Sequence, residues 1–361
     1  MTTMTRSRLA VAIALGATAL ASTNVESQSC AADATAATSA PTARPAGSPG
    51  TTGSIFVSHG RGGRVSILTL ETGAITTLDT GTGTPHEVAV SPDGRWAVAA
   101  DFGNHTGAYD FDGRRLAVID LGAKRVARVV DLGPHRGPHD VMFLPGSSKR
   151  LVVTTQTTRN VVEVDVETGQ VIASTPTGGE GSHTLAVAAD GRTAFTANQP
   201  EGSVSRLDLS AHTMVRKFNI GSDPAEGIVV TPDGREVWVA FRGERVVRVI
   251  DGNNGTVLAT IQGFPSTERL AITPDGRRVL LTDLRCREVK VADAATHRVI
   301  GSITDLRDAA QVRVLPDKRT AIVPLLAEGI VAVVDIEERR VIARHRFGQR
   351  IDGAGWGPTP R

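Results

Sequence analysis

Thr231-Pro232-Asp233-Gly234 is the clearest copy of a turn sequence that returns seven times along this chain of 361 residues. Proline fixes φ at the first turn position and glycine accepts the positive φ that follows, so Pro-Asp-Gly predicts a tight hairpin between two strands. Successive copies lie 42 to 53 residues apart. They begin at Ser91, Leu144, Ala189, Thr231, Thr273, Leu315 and Gly357.

A second element keeps the same period: a run rich in β-branched residues that ends in an acidic residue. From Asp165 onward its copies are spaced 43, 43, 42 and 42 residues apart. We interpret the acidic residue as a turn residue that hydrogen-bonds to its own backbone. The copies end at Asp120, Asp165, Asp208, Asp251, Asp293 and Asp335, and Ile67–Leu70 is a degenerate first copy.

Each repeat divides into four short strands. In the fourth repeat we place them at 225–230, 236–240, 246–250 and 257–261. A repeat of this length, filled with strands, predicts an all-β, seven-bladed β-propeller. The first strand, 54–57, matches the second strand of a repeat, whereas 352–358 matches the first strand and its turn. The two ends of the chain are therefore predicted to share one blade and close the ring.

The repeated text, as in Val88-Ala89-Val90-Ser91-Pro92-Asp93-Gly94-Arg95, resembles that of the YVTN-repeat β-propellers over residues 54–361. These are exported bacterial and archaeal proteins with relatives among surface-layer and lactonase-like propellers. The tetrapeptide that names the family is altered in every copy here, and Phe195-Thr196-Ala197-Asn198 is one of the nearest. The resemblance implies the propeller fold. It leaves function open, because a repeat of this kind specifies a scaffold.

The N-terminal residues 1–21 are typical of a signal peptide. Arg6 and Arg8 supply the positive start, the apolar run that follows is too short to span a bilayer, and Ala19-Leu20-Ala21 fits a cleavage site. We therefore expect export to the periplasm or the extracellular space. Residues 22–53 are rich in Ala, Thr, Ser, Pro and Gly and predict a disordered tether before the propeller at 54–361.

The chain has two cysteines, Cys30 in the tether and Cys286 in the sixth repeat. A bridge from a flexible tail to a blade is not expected, and no CxxC redox motif is present. Lipid anchoring at Cys30 is less favoured than simple export, because Ser27-Gln28-Ser29 lacks the apolar residue expected before a lipidated cysteine.

Composition excludes several classes of partner. The net charge is only +2, from 40 basic and 38 acidic residues, and aromatic residues make up 4%, so nucleic-acid binding has no support. No later run of residues predicts a membrane span. No G-x-S-x-G, phosphate-binding glycine loop, HExxH, flavin or haem motif occurs. We expect a monomer whose partner is a small-molecule ligand or an envelope protein.

One column of the repeat predicts a site at the mouth of the central channel. The residue six positions before each turn begins the innermost strand, and equivalent positions form a ring around a propeller channel. Three adjacent blades carry histidine there, and three others carry carboxylates. The column consists of His86, His139, His183, Glu226, Glu268, Ala310 and Asp352.

Three imidazoles and a carboxylate are suitable ligands for a divalent transition metal such as zinc, copper, iron or manganese. We predict a metal site of His86, His139, His183 and Glu226, and Glu268 or Asp352 as a catalytic base. Glu87 and Asp140 follow two of the histidines and are expected to point the other way along their strands. A metal-free polar site and a purely structural rim are the alternatives.

A second ring is predicted where the second strand of each blade ends, on the same face. Its polar members concentrate on a few blades, and the long loop after Asp101 and the segment before His139 add further polar groups to that face. The predicted ligand-binding residues are His59, Asp101, His105, Arg136, Gln156, Asn198 and Asp283.

These features leave three functions open. The first is a protein that binds a small polar ligand or a metal ion at the loop-rich mouth of the channel. The second is a metal-dependent enzyme, a hydrolase or an oxidoreductase, which the lactonase-like relatives suggest by resemblance. The third is a cell-envelope scaffold that uses the outer edges of the blades.

Overall fold

A computed structural model describes Cys30 and residues 52–359 of the chain. The predicted signal peptide and, apart from Cys30, the tether up to residue 51 lie outside the described residues. Among the described residues there is no helix, and 28 strands form seven antiparallel sheets of four strands each. The prediction of an all-β, seven-bladed propeller is confirmed.

The strands are numbered in chain order, and every blade except the first is built from four consecutive strands. Blade 1 contains β28 (Gly353–Gly357), β1 (Ser54–His59), β2 (Arg64–Thr69) and β3 (Ile75–Asp79). Blade 2 contains β4 (Pro85–Val90), β5 (Trp96–Asp101), β6 (Arg115–Asp120) and β7 (Arg125–Asp131). Blade 3 contains β8 (Pro138–Phe143), β9 (Arg150–Thr155), β10 (Asn160–Asp165) and β11 (Gln170–Pro176).

The remaining four blades follow the same order. Blade 4 contains β12 (Ser182–Val187), β13 (Thr193–Asn198), β14 (Ser203–Asp208) and β15 (Thr213–Asn219). Blade 5 contains β16 (Ala225–Val230), β17 (Glu236–Phe241), β18 (Val246–Asp251) and β19 (Val257–Gln262). Blade 6 contains β20 (Leu270–Ile272), β21 (Arg278–Asp283), β22 (Glu288–Asp293) and β23 (Arg298–Ile303). Blade 7 contains β24 (Arg313–Val314), β25 (Thr320–Leu325), β26 (Ile330–Asp335) and β27 (Arg340–Arg346).

The two ends of the chain close the ring in blade 1. Strand β28 pairs antiparallel with β1, with Ser54 opposite Gly357 and Ser58 opposite Gly353. The inner edge of β1 is thereby covered by the C-terminal strand, as predicted. A closed ring removes the unpaired edges that would otherwise promote pairing with other chains.

Both repeated turn elements have the predicted chemistry. Gly94 and Gly234 have φ values of 71° and 73°, which glycine adopts without the strain that a side chain would add. The hydroxyl of Thr231 donates to Asp233 Oδ1 at 2.6 Å. At the end of the third strand, Asp165 Oδ1 accepts a hydrogen bond from the backbone N–H of Thr168 at 2.8 Å. The repeats therefore specify their own hairpins.

The hydrophobic core lies between neighbouring blades. One cluster joins Phe195 and Val204 of blade 4 to Val237 and Ile250 of blade 5, and all four are almost completely buried. The three inner strands of a blade are mostly buried, because neighbouring blades cover their faces. Among the described residues, no helix is long and apolar enough to cross a bilayer.

Cys30 and Cys286 are both disulfide-bonded, and they are the two cysteines of the chain. The prediction that no disulfide forms is therefore wrong. It rested on the flexibility of the tail. The entropy cost of closing a loop grows slowly, however, by about 0.6 kcal/mol for each doubling of its length. The length of the segment between Cys30 and the propeller therefore adds little to the entropy cost of forming the disulfide.

Candidate functional site

The predicted ring of histidines and carboxylates lies at the start of the innermost strands. His86, His139 and His183 are each the second residue of their strand, in blades 2, 3 and 4. Glu226 holds the same position in blade 5, and Asp352 immediately precedes β28. One cavity of about 320 Å³ is lined by all seven members of the column, including Glu268 and Ala310.

The three imidazoles contact one another in blade order. His86 Nε2 lies 3.0 Å from His139 Nε2, and the rings of His139 and His183 have their centroids 4.0 Å apart. His139 and His183 are 1% and 6% exposed, so both imidazoles are shielded from solvent. The side chains that the sequence placed in one column therefore form one continuous cluster.

Carboxylates flank this cluster at both ends. Asp352 Oδ2 lies 3.0 Å from His86 Nδ1, and Glu226 Oε2 lies 3.5 Å from His183 Nδ1. Arg242 joins Glu226, at 3.2 Å, to Glu268, which it also binds. An arc of acidic and basic groups, with the three imidazoles at its centre, thus runs around six of the seven blades.

Burial keeps two of the histidines neutral. Desolvation lowers the pKa of His139 well below its usual value, and the neighbouring His183 and His86 lower it further. Desolvation also holds the pKa of His183 well below its usual value, with an added effect from the charge of Arg269. A neutral imidazole has a free lone pair, which is the form that binds metal ions.

His86 behaves in the opposite way. Burial disfavours its charged form, but the hydrogen bond and charge of Asp352, together with the charge of Glu87, outweigh burial and raise the pKa of His86. For Asp352 desolvation acts to raise the pKa, and the bond to His86 outweighs it and lowers the pKa. The pair therefore favours an imidazolium beside a carboxylate, with His86 donating to a neutral His139.

The inner strands carry a β-bulge at the position of the ring. In blade 2, Pro85 pairs with Asp101 but Val88 pairs with Ala99, so one extra residue lies between them. The inner strands of blades 3, 4 and 5 have the same irregularity, between Pro138 and Val141, Ser182 and Leu185, and Ala225 and Ile228. A bulge abolishes the strict alternation of side chains between the two faces of a strand.

The bulge corrects the prediction that Glu87 and Asp140 point away from the histidines. Ligand atoms of Glu87, His86 and His139 all lie within 4.8 Å of one another. Glu87 and Asp140 also line a second channel cavity of about 300 Å³, which shares Arg269 and Gln311 with the first. The alternation rule failed because successive residues of a bulged strand both reach the channel.

Glu87 is the centre of a buried ionic network in this second layer. Its carboxylate accepts from Gln311 Nε2 at 2.5 Å and from Arg313 at 3.1 Å, and Arg269 lies 3.6 Å away. Arg313 also approaches Asp140 at 3.8 Å. The two cavities together are lined by five carboxylates and three guanidinium groups, so the channel is acidic.

The long loop of blade 2 covers one side of the mouth. The rings of Phe102 and Phe111 stack with centroids 3.6 Å apart, and Phe102 stacks on His86 at 5.1 Å. His105 contacts Phe111 at 4.3 Å and lines the cavity. Arg136 donates to the backbone oxygen of Asp112 at 3.3 Å and so holds this loop from the next blade. The cavity is consequently lined by aromatic rings as well as by charged groups.

Only part of the second predicted ring lines the mouth cavity. Gln156 lines the mouth cavity and donates to Gln199 at 2.9 Å. The other members form hydrogen bonds near the ends of their strands, and their role in ligand binding stays a prediction. His59 bonds to Ser66 at 2.9 Å, Asp101 accepts from Thr84 N at 2.8 Å, Asn198 donates to Ser205 at 2.9 Å, and Asp283 accepts from Arg285 N at 3.1 Å.

A second group of potential metal ligands lies in blade 6. Asp283, Cys286 and Glu288 have ligand atoms within 4.8 Å of one another. Because the sulfur of Cys286 is in a disulfide, it supplies no thiolate. The channel cluster is therefore the better candidate.

Comparison with known proteins supports the fold and leaves the function open. No family model matches the sequence, and no curated protein matches it. The structure is similar to that of a chain of "Kuenenia stuttgartiensis Hydrazine Synthase", with a TM-score of 0.64 over 82% of this chain and 93% of that chain. The two sequences are 16% identical. The likeness shows that this chain has the fold of a seven-bladed β-propeller.

Proposed function

We propose that this chain is an exported propeller that binds one divalent transition-metal ion at the mouth of its channel, through His86, His139 and His183. The observation that carries the proposal is the 3.0 Å separation of the Nε2 atoms of His86 and His139. Two nitrogens bound about 2.0–2.1 Å from one ion, at bond angles between roughly 90° and 110°, lie about 2.9–3.4 Å apart. The two imidazoles are thus spaced as ligands of a shared cation, provided that His86 releases the proton that it donates to His139 in the metal-free chain.

The electrostatics of the channel support a cation. His139 and His183 are held neutral, so two lone pairs need no deprotonation before an ion binds. The excess of carboxylates over guanidinium groups in the two cavities favours positive charge. Asp352 lies 3.0 Å from His86 Nδ1, the position of an outer-shell carboxylate that orients a ligating imidazole.

Binding is favoured over catalysis because both proposed bases already have partners. Asp352 is bound to His86, and Glu268 is bound to Arg242. Burial raises the pKa of Glu268, and the charge of Arg242 opposes this rise. Metal-dependent turnover remains the second proposal, with Glu268 as the carboxyl group closest in character to a general acid. The oxidised cysteines support export, since disulfides persist in oxidising compartments.

The test is a metal titration of the purified chain after removal of bound ions with a chelator. We expect one Zn²⁺ or Co²⁺ per chain, measured by calorimetry and by the visible absorption of Co²⁺. His139→Gln and the triple His86/His139/His183→Ala variant should weaken binding by more than about 100-fold, since loss of outer-shell partners alone costs 10- to 100-fold.

The matched control is His212→Asn. His212 is exposed in a turn at a φ of 53°, a conformation that asparagine tolerates, so the variant removes an imidazole without straining the turn. It should bind metal like the parent chain. If the triple alanine variant retains the parent affinity and stoichiometry, the metal-binding proposal is wrong.

A further inference from the structure

A larger cavity lies beside the channel mouth, which we call the antechamber. It measures about 860 Å³ and is lined by four connections: the β1–β2 turn with Arg61, Thr84 before β4, the long loop of blade 2, and the segment 349–352 before β28. Phe102, His105 and Phe111 line both the antechamber and the mouth cavity. These aromatic side chains therefore form the boundary between the antechamber and the mouth cavity.

The antechamber is positively charged, in contrast to the channel. Its cationic side chains are Arg61 and Arg350, and within residues 52–359 neither guanidinium group has a hydrogen bond or an ion pair. The carboxylate that it contains, Asp352, is bound to His86. In the channel, by contrast, Arg242, Arg269 and Arg313 each contact a glutamate. The charge of Arg350 also acts on Asp352, but two guanidinium groups without an ion pair beside a large cavity favour an anion.

The loops that present these groups are held in place. Arg350 O contacts His59 Nδ1 at 3.2 Å, which anchors the backbone beside the guanidinium. The aromatic loop closes on itself as a small hairpin, in which Thr106 N donates to Asp110 O and Asp112 N donates to Asn104 O. The stacked Phe102 and Phe111 rings, 3.6 Å apart, form a preorganised apolar wall. Preorganisation reduces the ordering cost of binding.

We propose that the antechamber binds an aromatic carboxylate. Its carboxylate would lie between Arg61 and Arg350, and its ring would pack on Phe102 and Phe111. Guanidinium groups match a carboxylate with two parallel hydrogen bonds. Because His86 and Phe111 cover the faces of Phe102, the ligand ring would meet the phenyl edges in an edge-to-face contact. Neither arginine and neither phenylalanine is among the proposed metal ligands, although Phe102 stacks on His86, so benzoate binding can be measured without metal.

The test uses benzoate as the probe and the full chain after chelator treatment, so that metal plays no part. Calorimetric titration should detect saturable benzoate binding to the parent chain. The double variant Arg61→Gln/Arg350→Gln should bind benzoate at least about tenfold more weakly, because it removes the charge-assisted hydrogen bonds to the carboxylate. Benzamide has the same shape as benzoate but no charge. The parent chain should therefore bind benzamide at least about tenfold more weakly than it binds benzoate.

Two controls make the outcome decisive. Arg216→Gln removes an exposed arginine from the outer strand β15, away from the cavity, and should bind benzoate like the parent chain. Acetate, which lacks the ring, should bind more weakly than benzoate. The proposal is overturned if the parent chain shows no saturable benzoate binding, if the double variant keeps the parent affinity, or if acetate or benzamide binds as tightly as benzoate. A failed metal titration would leave these results unchanged.

Discussion

His86 has a neighbour on each of its two ring nitrogens. Nδ1 lies 3.0 Å from Asp352 Oδ2 and Nε2 lies 3.0 Å from His139 Nε2. The carboxylate raises the pKa of His86, whereas His139, with no carboxylate paired to its ring, has its pKa lowered by burial. Neighbouring copies of one residue type thus hold different charge states, because their surroundings differ.

The charge states predict how stability depends on pH. His139 and His183 have depressed pKa values in the folded chain. Below about pH 6.5 these two imidazoles therefore bind protons in the unfolded state but not in the folded state. Each should reduce the free energy of unfolding by up to about 1.4 kcal/mol per pH unit below that pH, until its folded pKa is reached. His86 acts oppositely: its contribution is complete below the unfolded pKa and is lost as pH rises through its raised folded pKa.

Urea unfolding of the metal-free chain between pH 5 and 8 measures this dependence. The curve for His139→Gln should fall less steeply on acidification than the parent curve, since one of the two acid-sensitive groups is gone. Curves for the two chains that run parallel over this range would show that His139 has the same pKa in the folded and unfolded chains, against the argument from burial.

At the scale of elements, the packing of β28 against β4 depends on glycine. A Cβ added to Gly355 would lie 2.8 Å from the backbone oxygen of Val88, too close for both strands to keep their positions. Gly353 and Gly357 in the same strand also face blade 2 closely. The C-terminal strand is therefore made of small residues on the side where it meets its neighbour, and Trp356 occupies the other side.

We expect Gly355→Ala to lower the free energy of unfolding by about 1–3 kcal/mol, the usual cost of overpacking a filled interface. Gly83→Ala is the control, because its added Cβ would meet its nearest neighbour, Asp101 Oδ1, at an ordinary 3.7 Å. Equilibrium urea unfolding at pH 7 distinguishes them. Equal stabilities of the two variants would mean that β28 and β4 can separate at little cost.

For the whole molecule, closure of the ring in blade 1 is the decisive interaction. Strand β28 is the inner strand of a blade whose other strands come from the opposite end of the chain. Arg313 of blade 7 strengthens the junction, since it contacts both Glu87 of blade 2 and the backbone oxygen of Ala354. Blades 7, 1 and 2 are thereby tied together across the point of closure.

A chain that ends at Asp352 should therefore lose the closed ring. With β28 absent, the edge of β1 is unpaired, and we expect a lower urea midpoint and self-association through that edge. Light scattering coupled to size-exclusion chromatography, with a control chain that lacks only residues 360–361, measures both effects. A truncated chain that stays monomeric with the parent midpoint would show that blade 1 is stable with three strands.

The sequence alone determined the seven blades, the shared blade and the ring of His86, His139 and His183, because each repeat carries its own turn residues and these fix equivalent positions in space. The strands placed at 225–230 and 236–240 agree with β16 and β17 to within one residue. Strand positions and turns can be predicted from a sequence repeat, since copies with the same hairpins stack on one another in the same way.

What only the tertiary structure decided is which side chains meet in the channel. The bulges turn Glu87 and Asp140 toward the channel. No residue pattern in the inner strands predicted these bulges. Arg269 and Arg313 reach these carboxylates from blades that are distant in sequence. The disulfide state of Cys30 and Cys286 was likewise missed. Such contacts depend on the distance across the closed ring, which all seven blades set together. The sequence repeat describes each blade separately and carries no information about that distance.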